Sequence, residues 1–183
     1  MDYMKYCNEL LSRLETLAYH ELSGMIHWKC EFVGVDFIRS KQIEGKTVDE
    51  IVTSCSKAMA AEGIVNNITH KVGKDGVMLK LKVKGCVHHA KEAQTRKEGV
   101  GPYLCPIANM VLDQIHEKLK YTTSYLAKLG IDGDNKQCFV YMALYKTPAQ
   151  IGQVSDWLKD DEDKAFLESQ PSQILAAEKK NIR

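Results

Sequence analysis

The stretch IVNNITHKVGKDGVMLKLKVKG constrains the fold more than any other part of the chain. Val77, Leu79, Leu81 and Val83 alternate with Met78, Lys80, Lys82 and Lys84. That period of two places one face of a strand against a core and turns the other, with its lysines, toward water. Gly73 and the Lys74-Asp75-Gly76 run ahead of it supply a tight turn, because Asp-Gly tolerates positive φ. A second strand pair, YTTSYLAKLGI and QCFVYMALYK, is joined through Asp132-Gly133-Asp134-Asn135. Two hairpins of this kind require an antiparallel sheet.

The remaining pattern is helical. Met4, Leu10, Leu11, Leu14, Leu17, Ala18 and Leu22 recur at steps of three and four and mark one helical stripe, which Gly24 ends. MIHWKCEFVGVDFI fits a buried helix or a strand, and its length and few turn residues favour the helix. Thr47 and Glu50 form a capping box for a helix with Val48, Ile51, Val52, Cys55, Ala58 and Met59 on its apolar face, stopped by Gly63. After GCVHH comes a polar connection with Gly99, Gly101 and Pro102. Pro106 then opens a long apolar helix with Cys105 at its N-cap. Trp157, Leu158, Phe166, Leu167, Ile174 and Leu175 predict an amphipathic helical tail broken by Pro171. The expected fold is α+β, an antiparallel sheet of two hairpins with helices on one side. Residues 1–46 form a helical N-terminal segment, 47–146 the core and 147–183 the tail, all within one compact domain.

Composition narrows the function by exclusion. A formal net charge of +1 gives no global field for nucleic acid or anionic membrane. The lysines of residues 69–97 and the acids of 156–163 read as solvated faces. No apolar run is long enough to cross a bilayer, and charges interrupt the N-terminus too often for a signal peptide, so a soluble cytoplasmic protein is expected. Its six cysteines are then thiols, metal ligands or core residues rather than disulfides. No phosphate-binding loop, dinucleotide fingerprint, H-E-x-x-H or G-x-S-x-G pattern occurs, which removes the common nucleotide, metalloprotease and hydrolase classes.

The residues left with chemistry lie around KGCVHH and CPIANMVL. Cys86 and His88, two apart at a strand end, point the same way if the strand continues, with His89 opposite. Cys105, at a helix N-terminus, is where the helix dipole favours thiolate. Cys138 opens the last strand. Thiolates and imidazoles suit zinc, so Cys86, His88, His89, Cys105 and Cys138 are the candidate metal ligands. Their spacing lacks any C-x-x-C pair, and a cysteine-lined core junction between sheet and helix, with two surface histidines, is the simpler reading of it. A Cys105–His88 or Cys105–His89 nucleophilic pair has no evident orienting carboxylate. His116 shares a stripe with Cys105, Asn109 and Leu112 but lies three turns along. His20 and His27 read as packing residues and His70 as a half-exposed sheet residue.

GPYLCPIANMVLDQI followed by GIDGDNKQCFVYMAL resembles the 4-vinyl reductase domain family, through Cys105-Pro106 and Cys138-Phe139, over residues 47 to 146. The chain departs from the family pattern in YTTSYLAKLG, which lacks the family's acid and extra cysteine, and at Asn109 and Met110, where a glycine is usual. The resemblance implies a domain akin to subunits of vesicle-tethering complexes, with an apolar cavity, zinc held by Cys and His, and links to tetrapyrrole synthesis and ligand sensing. Cys105, Asn109 and Leu112 are the expected ligand-binding positions. The leading expectation is thus a small-molecule- or metal-binding sensor for a hydrophobic or tetrapyrrole ligand, working as a homodimer, with binding ahead of turnover. A metal- or thiolate-dependent enzyme using Cys86, His88 and Cys105, and a dimerising interaction module, are the alternatives.

Overall fold

The computed structural model describes residues 3–22, 32–73, 76–100, 103–150 and 165, the side chains of 123–127 excepted. Its helices are α1 (Tyr3–Leu22), α2 (Val35–Arg39), α3 (Val48–Ala61), α4 (His89–Lys97) and α5 (Pro106–Leu119). Its strands are β1 (Asn67–Val72), β2 (Met78–Lys84), β3 (Thr123–Asp132) and β4 (Gln137–Tyr145). The expected α+β class holds: one four-stranded antiparallel sheet, in the order β1-β2-β4-β3, carries the helices.

Each hairpin contributes its second strand to the middle of the sheet. Leu79, Leu81 and Val83 of β2 stand opposite Met142, Val140 and Cys138 of β4. These residues share one face and pack into a core with Ile51, Val52, Cys55 and Met59 of α3 and Ile107, Val111 and Ile115 of α5. Each fully buried aliphatic side chain there contributes about 1.5–3 kcal/mol relative to exposure.

The other face of β2 departs from expectation. Lys84 is exposed and Lys82 half-buried, but Lys80 is only 7% exposed. The cause is the central position of the strand, since β4 sets Tyr141 opposite Lys80 and Phe139 opposite Lys82. The two ammonium groups lie 5.5 and 5.2 Å from those ring centres, which covers the lysine stems and keeps the charges over π faces.

The punctuation is mostly as read. Thr47 Oγ1 accepts from the Glu50 N–H at 3.2 Å, although Glu50 reaches back to the Lys46 N–H at 2.7 Å rather than to Thr47. Asp132 accepts from the Asn135 backbone N–H at 3.2 Å and Lys136 takes φ 48°, which closes the second turn. The expected Lys74-Asp75 turn and, except for Ala165, the 157–175 tail helix lie outside the described residues, as do residues 25–31. Of the segment expected to be a second helix, Val35–Arg39 is helical.

Two expectations between the hairpins are overturned. β2 stops at Lys84, because Gly85 adopts φ 64° and its N–H bonds to the Lys136 carbonyl at 3.1 Å. Cys86 and His88 are therefore not strand neighbours. The polar connection that follows contains a nine-residue helix, α4, with His88 as its N-cap. Its buried residues are Lys91, Glu92 and Thr95, so no apolar periodicity advertises it.

Candidate functional site

The end of β2, the start of β4, α4 and the N-terminus of α5 meet around a void of about 20 Å³. Val83, Leu129, Val140, Pro106 and Ile107 form apolar walls, and Cys86, His88, Glu92, Cys105 and Cys138 bring five donor side chains to the same space. The chain places them by simple local rules. The register sets Cys138 opposite Val83 of β2 and Ile131 of β3, on the core face. Gly85 turns the backbone so that Cys86 follows directly, and the Val87 N–H anchors that turn on the Ile64 carbonyl at 3.0 Å. His88 and Glu92 are one helical turn apart on α4, where the Glu92 N–H bonds the His88 carbonyl at 3.2 Å. Cys105 is the N-cap of α5, held extended ahead of Pro106.

Burial dominates the electrostatics. It pushes the Cys105 thiol up to about 12, against the contrary pull of the Ala108 backbone N–H, with Cys86 and Glu92 adding to the rise. The helix dipole at this N-cap was expected to favour thiolate; desolvation outweighs it. Cys138 is raised further, by burial first and then by Cys86, Cys105 and Glu92, and Cys86 is raised chiefly by burial. His88 is lowered to about 4 by burial and by Lys91, so its imidazole is neutral with a lone pair to offer. The void is thus lined by neutral thiols and a neutral imidazole.

Glu92 is the exception, and its setting links the void to α1. Lys91 Nζ donates to Glu15 of α1 at 2.6 and 2.8 Å and lies 2.5 Å from one Glu92 oxygen. Lys91 is 1% exposed. Burial alone would lower its ammonium, but Glu92 and Glu15 together outweigh it and the pKa is raised. Glu15 is raised to about 7, mainly by burial, because two carboxylates share one ammonium in a dry space. Glu92 Oε2 is buried with no hydrogen-bond partner. Glu92 thus brings a buried carboxylate oxygen without a partner to a space that three thiols and an imidazole also line.

Among the described residues no three His, Cys, Asp or Glu side chains already stand as a metal-holding group, so ligation requires side-chain rotation within the void. Of the residues expected from sequence, Cys86, His88, Cys105 and Cys138 come together here. His89 does not line the void; its Nε2 donates to the Asp132 carbonyl at 3.1 Å. Asn109 donates to the Val33 carbonyl at 3.0 Å and Leu112 packs in the main core, so neither lines the void. His116 bonds the Tyr121 carbonyl at 3.2 Å. Glu92 was missed. Its spacing of four from His88 was a usable signal, hidden because the segment was read as non-helical.

No protein-family model matches the chain, and no curated protein sequence matches it. Among solved structures the chain is similar to the crystal structure of the phenol-responsive sensory domain of the transcription activator PoxR with phenol. The TM-score is 0.50 at 14% identity, over 90% of this chain and 82% of that one. The two share a fold. Among the described residues no helix is long and apolar enough to cross a membrane.

Proposed function

We propose that the chain is a small-molecule-binding sensory domain organised around a divalent-metal centre of the zinc class, drawn from Cys86, His88, Glu92, Cys105 and Cys138. The observation that carries this reading is the convergence of three thiols, an imidazole and an orphaned carboxylate oxygen on one void. A bound divalent cation would deprotonate the thiols it coordinates and take up the uncompensated charge of Glu92. His88, already neutral, needs no proton removed. The kinship with the 4-vinyl reductase family remains part of this proposal and rests on Cys105-Pro106 and Cys138-Phe139.

The sensory part of the reading is supported by the shared fold with a domain that responds to phenol. At about 20 Å³ the void holds about one water. A small-molecule site is typically about 300–1,000 Å³, so an organic ligand must part the walls, and a single aromatic ring asks far less of them than a tetrapyrrole. In the metal-free chain burial keeps the thiols protonated and leaves no ready nucleophile.

Native mass spectrometry of protein purified without chelators, then titrated with zinc and with phenol, tests the proposal. One zinc per chain is expected, lost in Cys105→Ser and held more weakly in Glu92→Gln. A wild-type chain that takes up no zinc, in protein shown to be folded, removes the metal centre. No thermal shift with any small aromatic compound removes the sensory reading.

A further inference from the structure

Helix α1 is built inside out. Its inner face, against α4, is polar: Asn8, Ser12 and Glu15 are buried, Ser12 Oγ lies 3.2 Å from Thr95 Oγ1, and Glu15 holds Lys91. Its outer face carries Tyr3, Tyr6, Leu10, Leu14 and Leu17, which are 75, 50, 47, 54 and 58% exposed. At 3.6 residues per turn these five side chains fall within an arc of about 80°. Of the stripe that sequence periodicity marks, Met4, Leu10, Leu14 and Leu17 therefore point to solvent, whereas Leu11 and Ala18 are half-buried; nothing among the described residues covers the exposed set. Single exposed leucines are ordinary, but a continuous apolar stripe along a five-turn helix is not.

We propose that this stripe is the interface of a homodimer in which α1 packs antiparallel on α1 of a second copy, about a twofold axis at Leu10. The spacing points to a second copy. From Tyr3 to Leu17 the steps are three, four, four and three, which read the same in both directions. An isologous interface needs such self-complementarity. With the axis at Leu10, Tyr3 lies over Leu17 of the second copy and Tyr6 over Leu14, so a large side chain meets a smaller one at each level. Beside the stripe, Tyr6, Glu9, Leu10, Arg13 and Gln94 line a surface cleft of about 330 Å³, room for a protruding side chain of the second copy. The flanking charges are occupied within each chain, Arg13 on Glu98 at 2.7 Å and Lys5 near Glu9 at 3.9 Å, so no like charges are forced across the axis. The stripe offers roughly 600 Å² per copy, or roughly 1,200 Å² in a pair, the lower end of what specific interfaces bury. This inference stands independently of what occupies the void.

Light scattering of the full chain, with disulfide trapping in a Cys7→Ser background, tests it. Twice the chain mass is expected for wild type and a helical monomer for Leu10→Glu, which sets two carboxylates on the axis. Leu10→Cys should form an intermolecular disulfide. Tyr3→Cys should not pair with itself, its copies being about 21 Å apart in the antiparallel dimer, but should pair with Leu17→Cys when the two proteins are mixed. A wild-type chain that stays monomeric at about 100 µM overturns the proposal. So does self-pairing of Tyr3→Cys, which marks a parallel arrangement, or a Leu10→Glu dimer as stable as wild type.

Discussion

Glu92 gives one carboxylate oxygen to Lys91, 2.5 Å away, and leaves the other buried and unbonded beside four sulfur and nitrogen donors. Replacing it with Gln removes one of two negative charges that share Lys91 while preserving shape. The expected result is zinc affinity lower by about 10–100-fold, in a protein that still unfolds cooperatively. Competition with a chromophoric chelator measures the first and urea denaturation the second.

The same cluster sets a pH dependence in chelator-treated protein. Glu15 has its folded pKa raised from 4.5 to about 7, so between these values the folded state binds more protons than the unfolded. Its contribution is complete below 4.5 and is lost as pH rises through about 7. His88 works oppositely. Its folded value falls from 6.5 to about 4, so the unfolded state binds more protons in that interval and acid destabilises. Stability should therefore decline from about pH 6.5 toward 8 through Glu15, with His88 opposing any gain on the acid side. Urea midpoints from pH 4.5 to 8 check this. Glu15→Gln should flatten the alkaline limb and His88→Gln should remove the acid penalty; an unchanged alkaline limb in Glu15→Gln would refute the assignment.

Two glycines separate backbone strain from crowding. Gly63 and Gly85 both adopt φ in the sixties, but a Cβ at Gly63 meets nothing within 4 Å, whereas at Gly85 it would lie 2.4 Å from the Asn66 side chain. Gly63→Ala should cost about 1 kcal/mol from backbone conformation alone. Gly85→Ala should cost about 2 kcal/mol or more and also shift Cys86, weakening zinc uptake. Paired melting curves and zinc titrations distinguish the two.

The thiols should divide by exposure. Cys7 is exposed, while Cys55, Cys105 and Cys138 are buried with raised pKa values. With iodoacetamide at pH 7.5, peptide mapping should find Cys7 modified on the order of 100-fold faster than Cys105. Comparable rates would mean that the void opens readily in solution.

Much of the sheet was legible from residues alone. The alternation of β2, the Asp132 turn and the Cys105-Pro106 helix start are local signals that tertiary context did not override. Lys80 was misread because alternation reports which face a residue occupies but not whether the strand lies at an edge or in the middle. α4 was invisible because its buried residues are Lys91, Glu92 and Thr95, matched to polar partners on α1 some 76 residues earlier in the case of Lys91 and Glu15. For α1, periodicity located the apolar stripe but had no means of saying which side of the helix the rest of the chain would take. The site was half legible: cysteine and histidine announce themselves by type, whereas Glu92 becomes distinctive only when its second oxygen is seen to lack a partner.

The strand order β1-β2-β4-β3 also fixes when the donors can first meet. Cys86, His88 and Glu92 follow the first hairpin, Cys105 opens α5, and Cys138 belongs to the second hairpin, 52 residues after Cys86. No hairpin can assemble the set alone; β2 must first pair with β4, the long-range step that loop closure makes slow. A metal ion held there would arrive late in folding and fasten the junction between the two hairpins, so its loss should accelerate unfolding more than it slows folding.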